Sequence, residues 1–175
     1  FVNLLPQLPA IAVCAVGYMG VQAENERDIF TAVNVMRSNF DGPASIFVVL
    51  ANHFEKRRSG TLVGISSVAG ERGRAKNYIY GSAKAGFTAF LSGLRNRLSK
   101  RGVHVISVLP GYVLTKMTNQ MNLPRILTAQ PDEVGEAVFK AVKKKKNIIY
   151  VKKIWWIIMI LIKNIPEFLF KRMKI

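Results

Sequence analysis

The residues best suited to chemistry are a tyrosine and a lysine four positions apart, Tyr80 and Lys84. In a helix this spacing puts both side chains on one face. A phenol with a pKa of about 10 is a poor acid–base catalyst at neutral pH, but a neighbouring ammonium favours the phenolate and lowers that pKa. Ser67, thirteen residues before Tyr80, ends a predicted strand and would face the phenol across a small substrate. The three residues predict proton transfer to or from a substrate oxygen.

Alternating apolar runs and helical stretches indicate which elements would position these residues. Four runs are predicted as strands, at 10–16, 61–65, 103–109 and 148–151. Four longer stretches are predicted as helices, at about 24–35, 43–57, 77–100 and 131–144. Continuous apolar runs are typical of parallel strands buried on both faces by helices. The sequence therefore predicts an α/β fold with a parallel sheet.

The ends of three predicted strands carry residues that indicate a ligand site. A GYMG segment follows the first run, Ser66-Ser67 the second and Pro110-Gly111 the third. In open parallel sheets, ligands bind beyond the carboxyl ends of the strands. We therefore expect a site assembled from several loops at one edge of the sheet.

Ser67 and the Tyr80-x-x-x-Lys84 pair, set in the segment ISSVAGERGRAKNYIYGSAKAG, resemble the catalytic signature of the short-chain dehydrogenase/reductases. Asn39, in NFDGP, matches the family's fourth catalytic position, and the PGYVLT segment beginning at Pro110 matches its PGxVxT loop. The resemblance extends over almost the whole chain. It implies a Rossmann-type, doubly wound parallel sheet and an oxidoreductase that interconverts a carbonyl and a secondary alcohol with NAD or NADP.

The resemblance also implies a role for each matched residue. Tyr80 would give a proton to the substrate oxygen, and Lys84 would bind the nicotinamide ribose and lower the pKa of Tyr80. Ser67 would position and polarise the carbonyl, and Asn39 would hold a water that links Lys84 to bulk solvent. Besides Tyr80 and Lys84, the residues implied to contact the cofactor are Ala15, Val16, Gly17, Pro110, Gly111, Val113 and Thr115.

The chain departs from the family pattern at its beginning. Ala15-Val16-Gly17 stands where the family usually has Asn-Ala-Gly. The Gly-rich turn that receives the pyrophosphate has no match before the first predicted strand, so we expect about 60–80 residues of the fold to precede Phe1. Residues 1–151 are predicted to be the C-terminal two-thirds of a Rossmann-type reductase domain, and weak binding of a dinucleotide by this piece alone is expected.

Three segments, of which the last lies outside the catalytic motifs, are similar to one branch of the family, the reductase subunits of decaprenylphosphoryl-ribose 2-epimerase. These segments are AVGYMG, AGERGRAKNYIYGSAKAG and WWIIMILIKNIPEFLFKRMKI. The branch implies reduction of a polyprenyl-phosphate-linked 2-keto sugar in cell envelope biosynthesis, with an oxidase partner subunit. Two alternatives stay open: a soluble ketone or 3-oxoacyl reductase of the same family, and an inactive fragment that docks on a membrane.

Positive charge is concentrated at the end of the chain. The formal net charge is +16, and residues 143–175 carry ten Lys or Arg with the single acid Glu167. The apolar run 154–162 would be about 14 Å long as a helix, against a hydrocarbon core of about 30 Å, which argues against a membrane span. For residues 152–175 two interpretations remain, an interfacial segment on an anionic membrane at the cytoplasmic face and a segment that packs on the domain or lines its pocket.

Several other classes of site are not supported by the sequence. No nucleic-acid motif accompanies the lysine run 143–146. The single cysteine, Cys14, excludes an internal disulfide and favours a reducing, cytoplasmic compartment, and we expect it to be buried in its strand. His53 and His104 have no metal-ligand spacing, so no metal site is predicted.

Small side chains line the helix that carries Tyr80. They are Gly81, Ser82, Ala85, Gly86 and Ala89. We expect close helix packing there, and the resemblance implies that this helix contributes to the interface of a homodimer or homotetramer.

Overall fold

Parallel strands form the main sheet of the protein. The structure is a computed structural model that describes residues 2–119 and 121–173. Its strands are β1 (Ile11–Cys14), β2 (Gly60–Ile65), β3 (Val103–Pro110), β4 (Tyr112–Val113), β5 (Thr128–Ala129) and β6 (Ile148–Val151). Four of them pair in the order β1-β2-β3-β6, all parallel, and β4 pairs with β5 in a small second sheet. The predicted α/β fold with a parallel sheet is confirmed.

The helices lie between these strands and follow the last one. They are α1 (Gln22–Asn25), α2 (Ile29–Met36), α3 (Gly42–Arg57), α4 (Tyr78–Leu98), α5 (Pro131–Lys143), α6 (Ile154–Asn164) and α7 (Glu167–Phe170). The helix expected at 24–35 is broken before α2, where Asp28 caps the new helix by accepting a hydrogen bond from the backbone N–H of Phe30. A π-helical turn, Arg37–Asp41, joins α2 directly to α3.

The two faces of β2 and β3 are covered by different helices. Because side chains alternate along a strand, Leu62 and Val105 face one cluster while Val63 and Ile106 face the other. The first cluster includes the aromatic residues Phe47, Phe54 and Phe87 of α3 and α4. The second includes Val134 and Ala141 of α5. The central strands are therefore buried on both sides, as their continuous apolar sequences predict.

β1 differs from this expectation because it lies at an edge of the sheet. Ala12 and Cys14 pack against the α3–α4 cluster, but Ile11 and Val13 on the opposite face are 46% and 50% exposed. Cys14 itself is only partly buried, so the prediction of a fully buried thiol is wrong. Within the described residues no helix covers the face of β1 that carries Ile11 and Val13, which explains their exposure.

The end of the chain packs on the rest of the molecule through one face of α6. Trp155 and Met159 are buried in a cluster with Val68 and Leu109, and the indole N–H of Trp155 donates to the carbonyl of Leu127 at 2.9 Å. The other face of α6 is exposed. One face of α6 therefore packs on the rest of the molecule through Trp155 and Met159. None of the described helices combines the length and the apolar character that crossing a membrane requires.

Two residues that follow Ser67 hold the far end of α6. Arg72 donates to the carbonyls of Ile162, Lys163 and Ile165 at 2.8–3.2 Å. Its guanidinium also pairs with Glu167 at 2.8 Å. Glu71 accepts hydrogen bonds from Lys163 at 2.6 Å and from the Tyr150 hydroxyl at 2.9 Å. We call Glu71 and Arg72 the α6 clamp.

Candidate active site

A cavity of about 600 Å³ opens at the carboxyl ends of β1, β2 and β3. Its walls come from the loops after these strands, from the start of α4, from α5 and from Trp155. Every residue expected to contact substrate or cofactor lines it: Ala15, Val16, Gly17, Ser67, Tyr80, Lys84, Pro110, Gly111, Val113 and Thr115. Asn39 does not line the cavity and lies behind Gly17. The structure thus brings the predicted residues of several loops together at one edge of the sheet.

Gly70 allows the segment that carries Ser67 to lie directly against α4. A Cβ atom on Gly70 would come within 2.6 Å of the backbone nitrogen of Ala85, so any larger residue would push the two segments apart. Ser67 caps the short turn Val68–Gly70 by accepting a hydrogen bond from the N–H of Ala69 at 3.1 Å. This packing fixes Ser67 beside the first turns of α4, where Tyr80 and Lys84 are found.

Lys84 is buried, with 3% of its surface exposed. Its ammonium donates to the carbonyl of Ile65, the last residue of β2, at 3.1 Å and to that of Val16, two residues after β1, at 3.4 Å. Burial lowers the pKa of Lys84 to about 8, because the charged form loses hydration, and the nearby Cys14 opposes that shift. An ammonium has three N–H donors, so one remains for a ligand in the cavity.

The pKa of Tyr80 is raised, which is opposite to the direction that the resemblance implies. Burial disfavours the phenolate, and the neighbouring Ser67 hydroxyl acts in the other direction with a smaller effect. The Lys84 ammonium lies 5.8 Å from the centre of the Tyr80 ring and donates to backbone carbonyls instead of the phenol oxygen. In this structure, burial therefore outweighs the influence of Lys84.

Ser66 and Ser67 have different surroundings. The Ser66 hydroxyl donates to the carbonyl of Lys84 at 2.9 Å and also bonds with the Thr88 hydroxyl at 2.6 Å, so it ties β2 to α4. The Ser67 hydroxyl faces the cavity and the neighbouring Tyr80, accepts from the N–H of Ala69 and has a long contact, 3.5 Å, to the carbonyl of Pro110. Ser67 is therefore the serine available to a ligand.

Asn39 occupies the π-helical turn and is fully buried. Its amide nitrogen donates to the carbonyls of Val35, at 2.7 Å, and Tyr18, and its oxygen accepts from the N–H of Tyr18 at 3.3 Å. A Cβ on Gly17 would lie 3.2 Å from the Asn39 oxygen and 3.5 Å from the Lys84 ammonium. Asn39 thus anchors the backbone after β1, and Gly17 separates it from Lys84.

The loop after β3 is shaped by an aromatic contact. A Cβ on Gly111 would come within 1.9 Å of the Trp155 indole, so only glycine fits there while the indole is in place. Tyr112 meets Trp155 edge to face with 5.2 Å between ring centres. Further along, the N–H of Thr115 donates to the Thr118 hydroxyl at 3.1 Å. The sequence left pocket lining open for segment 152–175 as a whole but did not single out Trp155, which reaches the loop through tertiary packing.

Other candidate chemistry is not supported in the described part of the chain. Residues 2–119 and 121–173 contain no group of three His, Cys, Asp or Glu side chains arranged to hold a metal ion. His104 instead bonds with the carbonyl of Lys146 at 3.0 Å.

The comparisons with known proteins agree with one another on the family of this chain. The family model described as short chain dehydrogenase matches residues 9–125. An uncharacterized oxidoreductase of Mycobacterium tuberculosis is 35% identical over 162 residues, which are 93% of this chain and 65% of the relative. A ketoacyl reductase of a Nostoc species is 32% identical over 124 residues, covering 69% of this chain and 43% of the relative. The chain therefore spans slightly less than two thirds of the mycobacterial relative.

A solved structure shares the fold over nearly the whole chain. A short chain dehydrogenase from Burkholderia cenocepacia, solved in complex with NADP, matches with a TM-score of 0.81 and 21% identity. The match covers 93% of this chain and 68% of that one.

Proposed function

Since this chain belongs to the short-chain dehydrogenase family, we propose that the protein is an NAD(P)-dependent oxidoreductase that interconverts a carbonyl and a secondary alcohol. The observation that carries the proposal is the convergence of Ser67, Tyr80 and Lys84 on one cavity at the carboxyl edge of the parallel sheet. Each side chain comes from a segment that the fold holds against the others, so the three can act on one substrate oxygen.

In the direction of reduction, Tyr80 gives its phenolic proton to the substrate oxygen. Its raised pKa keeps the phenol protonated at neutral pH, which suits a proton donor. Ser67 donates a hydrogen bond to the same oxygen and so orients and polarises the carbonyl. After transfer, Tyr80 is a phenolate, and the positive charge of Lys84 stabilises this form until it is reprotonated.

The residues around Lys84 fit the nicotinamide half of a dinucleotide. NAD or NADP, when bound, supplies or accepts the hydride. The unused N–H of Lys84 is proposed to donate to the ribose. The remaining proposed contacts are Ala15, Val16, Gly17, Pro110, Gly111, Val113 and Thr115, all of which line the cavity. Asn39 is proposed to hold a water in the proton path to Lys84, and its bonds to Tyr18 keep that part of the loop in place.

For the substrate, we propose a 2-keto sugar linked to polyprenyl phosphate, as the reductase branch of decaprenylphosphoryl-ribose 2-epimerase implies. The cavity is largely apolar, which suits a substrate with a long hydrocarbon, and the basic, apolar segment 152–175 adjoins it. The branch adds an oxidase partner subunit and a role in cell envelope biosynthesis to the proposal. A ketoacyl substrate is the second candidate, because the Nostoc relative is named a ketoacyl reductase.

We also propose that the exposed face of α6 docks on the anionic, cytoplasmic surface of a membrane. Trp156, Ile157 and Leu161 are 53%, 53% and 64% exposed on that face. Lys153, Lys163 and the Lys171-Arg172 pair are exposed nearby. Apolar residues flanked by cations favour an interfacial position on anionic lipid.

The proposal extends to a homodimer or homotetramer. On α4, Ser82 and Ala89 are small and exposed, so this helix could approach a second copy closely. On α3, Ile46 is 50% exposed and Val49 is 45% exposed.

Replacing Tyr80 tests the catalytic assignment. Tyr80→Phe removes only the hydroxyl, so the fold should be kept while hydride transfer in the whole protein falls by at least about a thousandfold, because both general acid catalysis and a hydrogen bond to the substrate oxygen are lost. The measurement is oxidation of NADH or NADPH with a panel of ketones. Tyr78→Phe is the matched control, since Tyr78 is 46% exposed and outside the cavity lining. Turnover by Tyr80→Phe equal to that of the control would refute the assignment.

A further inference from the structure

Two polar side chains in the cavity wall have buried atoms without partners. Arg74 and Asn77 both line the cavity, between the Ser67 segment and the start of α4. The Nε of Arg74 and the Oδ1 of Asn77 are buried, and neither has a hydrogen-bond partner among residues 2–119 and 121–173. A buried polar group without a partner is costly, so each of these atoms requires an explanation.

The charge of Arg74 is also uncompensated in the described residues. None of the ion pairs found between described residues includes Arg74. The nearest acid in sequence, Glu71, accepts hydrogen bonds from Tyr150 and Lys163 at its Oε1. Its Oε2 is buried and has no partner among the described residues, and Glu71 forms no ion pair with Arg74. Burial lowers the pKa of Arg74, and the charge interaction with nearby Tyr112 opposes this shift. A guanidinium nevertheless stays protonated in proteins, so the cavity wall carries a positive charge that no ion pair between described residues neutralises.

Arg74 lies on the side of the cavity that is remote from β1. Its charge interacts with Tyr112, and Tyr112 packs on Trp155 of α6. In the sheet, β2 lies between β1 and β3. Tyr112 follows β3, whereas the proposed cofactor contacts Ala15–Gly17 follow β1. The unpartnered groups are therefore beside the loop that follows β3 and away from the proposed cofactor contacts Ala15–Gly17.

We propose that Arg74 and Asn77 form a subsite for an oxyanion carried by the substrate, a phosphate ester or a carboxylate. Arg74 donates to the oxyanion, and Asn77 Oδ1 accepts from a hydroxyl of the same molecule. This inference rests on the proposed function and narrows it to carbonyl compounds that are anionic and hydroxylated. Planar guanidinium groups bind phosphate and carboxylate through paired hydrogen bonds, and such bonds are strong when water is excluded.

The test compares matched substrates in the whole protein. One pair is a keto sugar phosphate and the same keto sugar without phosphate, and the other is a hydroxylated keto acid and its methyl ester. For each pair, the preference is the kcat/KM of the anionic substrate divided by the kcat/KM of the neutral one. We expect Arg74→Gln to lower this ratio at least tenfold, mainly by raising the KM of the anionic substrate. Lys76→Gln, which removes an exposed charge two residues away, is the matched control and should keep the ratio within threefold of the wild type. The pair with the larger loss identifies the oxyanion as phosphate or carboxylate.

Three results would overturn the subsite. The first is an unchanged ratio in Arg74→Gln, and the second is an equal loss in Lys76→Gln, which would indicate long-range electrostatics. The third is that Arg74→Gln raises the KM for NADPH or NADH and leaves the KM for the substrate unchanged, which would assign Arg74 to the cofactor.

A binding measurement separates the subsite from the proposed reaction. The keto sugar phosphate and the hydroxylated keto acid should each be tested for raising the Tm of the wild-type protein, with the increase at least halved in Arg74→Gln and kept in Lys76→Gln. If the enzyme reduced no compound and one ligand still gave this pattern, the proposed function would fail and the subsite would stand. If neither ligand raised the Tm of the wild type, the subsite would be refuted whatever the activity.

Discussion

Lys84 carries a charge into one of the least exposed positions of the protein. Two backbone carbonyls partly replace its hydration, but they are neutral dipoles, and the pKa of about 8 shows that burial outweighs them. Since the ordinary lysine pKa is 10.5, the folded protein binds this proton less tightly than the unfolded chain. The charge therefore destabilises the fold at neutral pH.

This imbalance predicts how stability depends on pH. Below pH 8, Lys84 is charged in both states and its burial costs about 3 kcal/mol, which follows from the difference of the two pKa values. The cost is relieved as the pH rises from about 8 to 10.5. In urea unfolding, the stability of the wild type relative to Lys84→Met should therefore increase by about 3 kcal/mol between pH 7 and pH 11. Lys76→Met is the control, and a pH-independent difference for Lys84→Met would contradict the prediction.

Some of the candidate site could be predicted from the sequence, because local spacing determines it. Tyr80 and Lys84 share a helix face, and Ser67 ends a strand, so three side chains at the cavity follow from helix and strand periodicity. Arg74 could not be predicted, since its position depends on packing between segments distant in sequence. Pocket lining was one of the open interpretations of segment 152–175, but the sequence did not single out Trp155 within it. The direction of the Tyr80 pKa was also missed, because burial outweighed the charge that spacing suggested.

At the level of elements, the α6 clamp joins the Ser67 segment to the end of α6. The last carbonyls of a helix lack partners within it, and Arg72 satisfies those of Ile162 and Lys163 while placing a positive charge at the negative end of the helix dipole. Its guanidinium also lies 4.0 Å above the Phe170 ring. Because α6 carries Trp155, the clamp helps to keep a cavity wall in place.

Loss of the clamp should loosen α6. Arg72→Gln removes the charged hydrogen bonds and the ion pair to Glu167, which together should contribute about 2 kcal/mol to the local stability of α6. We expect amide hydrogen exchange in residues 154–164 to become roughly thirtyfold faster, while β2 and β3 keep their protection. Arg125→Gln removes an exposed arginine and serves as the control. Unchanged exchange in α6 would mean that Trp155 and Met159 hold the helix without Arg72.

On the scale of the whole molecule, the four strands of the main sheet could be predicted from the sequence, but the surroundings of each strand could not. The four apolar runs became the four strands of the parallel sheet, because each is long enough to cross it and is followed by a helix. The partial exposure of β1 could not be foreseen, since it depends on which helices reach that edge. The pair β4–β5 joins residues sixteen apart and has no local signal.

The two faces of α6 make the membrane proposal testable without removing the helix. Trp155 and Met159 are part of the core, so a chain ending at Val151 would expose that cluster and confuse misfolding with loss of binding. Changing the exposed Trp156 and Leu161 to Ser leaves the cluster intact. Flotation with phosphatidylglycerol vesicles should then fall at least tenfold from the wild-type level, because the apolar contact with lipid is lost.

Two comparisons control this flotation experiment. A double change of Phe139 and Ile126 to Ser removes apolar residues that are 67% and 71% exposed elsewhere, and it should bind vesicles like the wild type. Phosphatidylcholine vesicles, which lack net charge, should bind the wild type weakly. Equal flotation of both double variants, or no flotation of the wild type, would reject the docking face.

The contact between Gly111 and Trp155 restricts how the cavity can vary. A smaller residue at position 155 would enlarge the chamber and leave the backbone at Gly111 unchanged, whereas any side chain at position 111 would collide with the indole. At this contact, substitutions can therefore make the cavity larger but not smaller. Selection or engineering for bulkier substrates has a direct route through position 155, and selection for smaller ones has to act on the opposite wall.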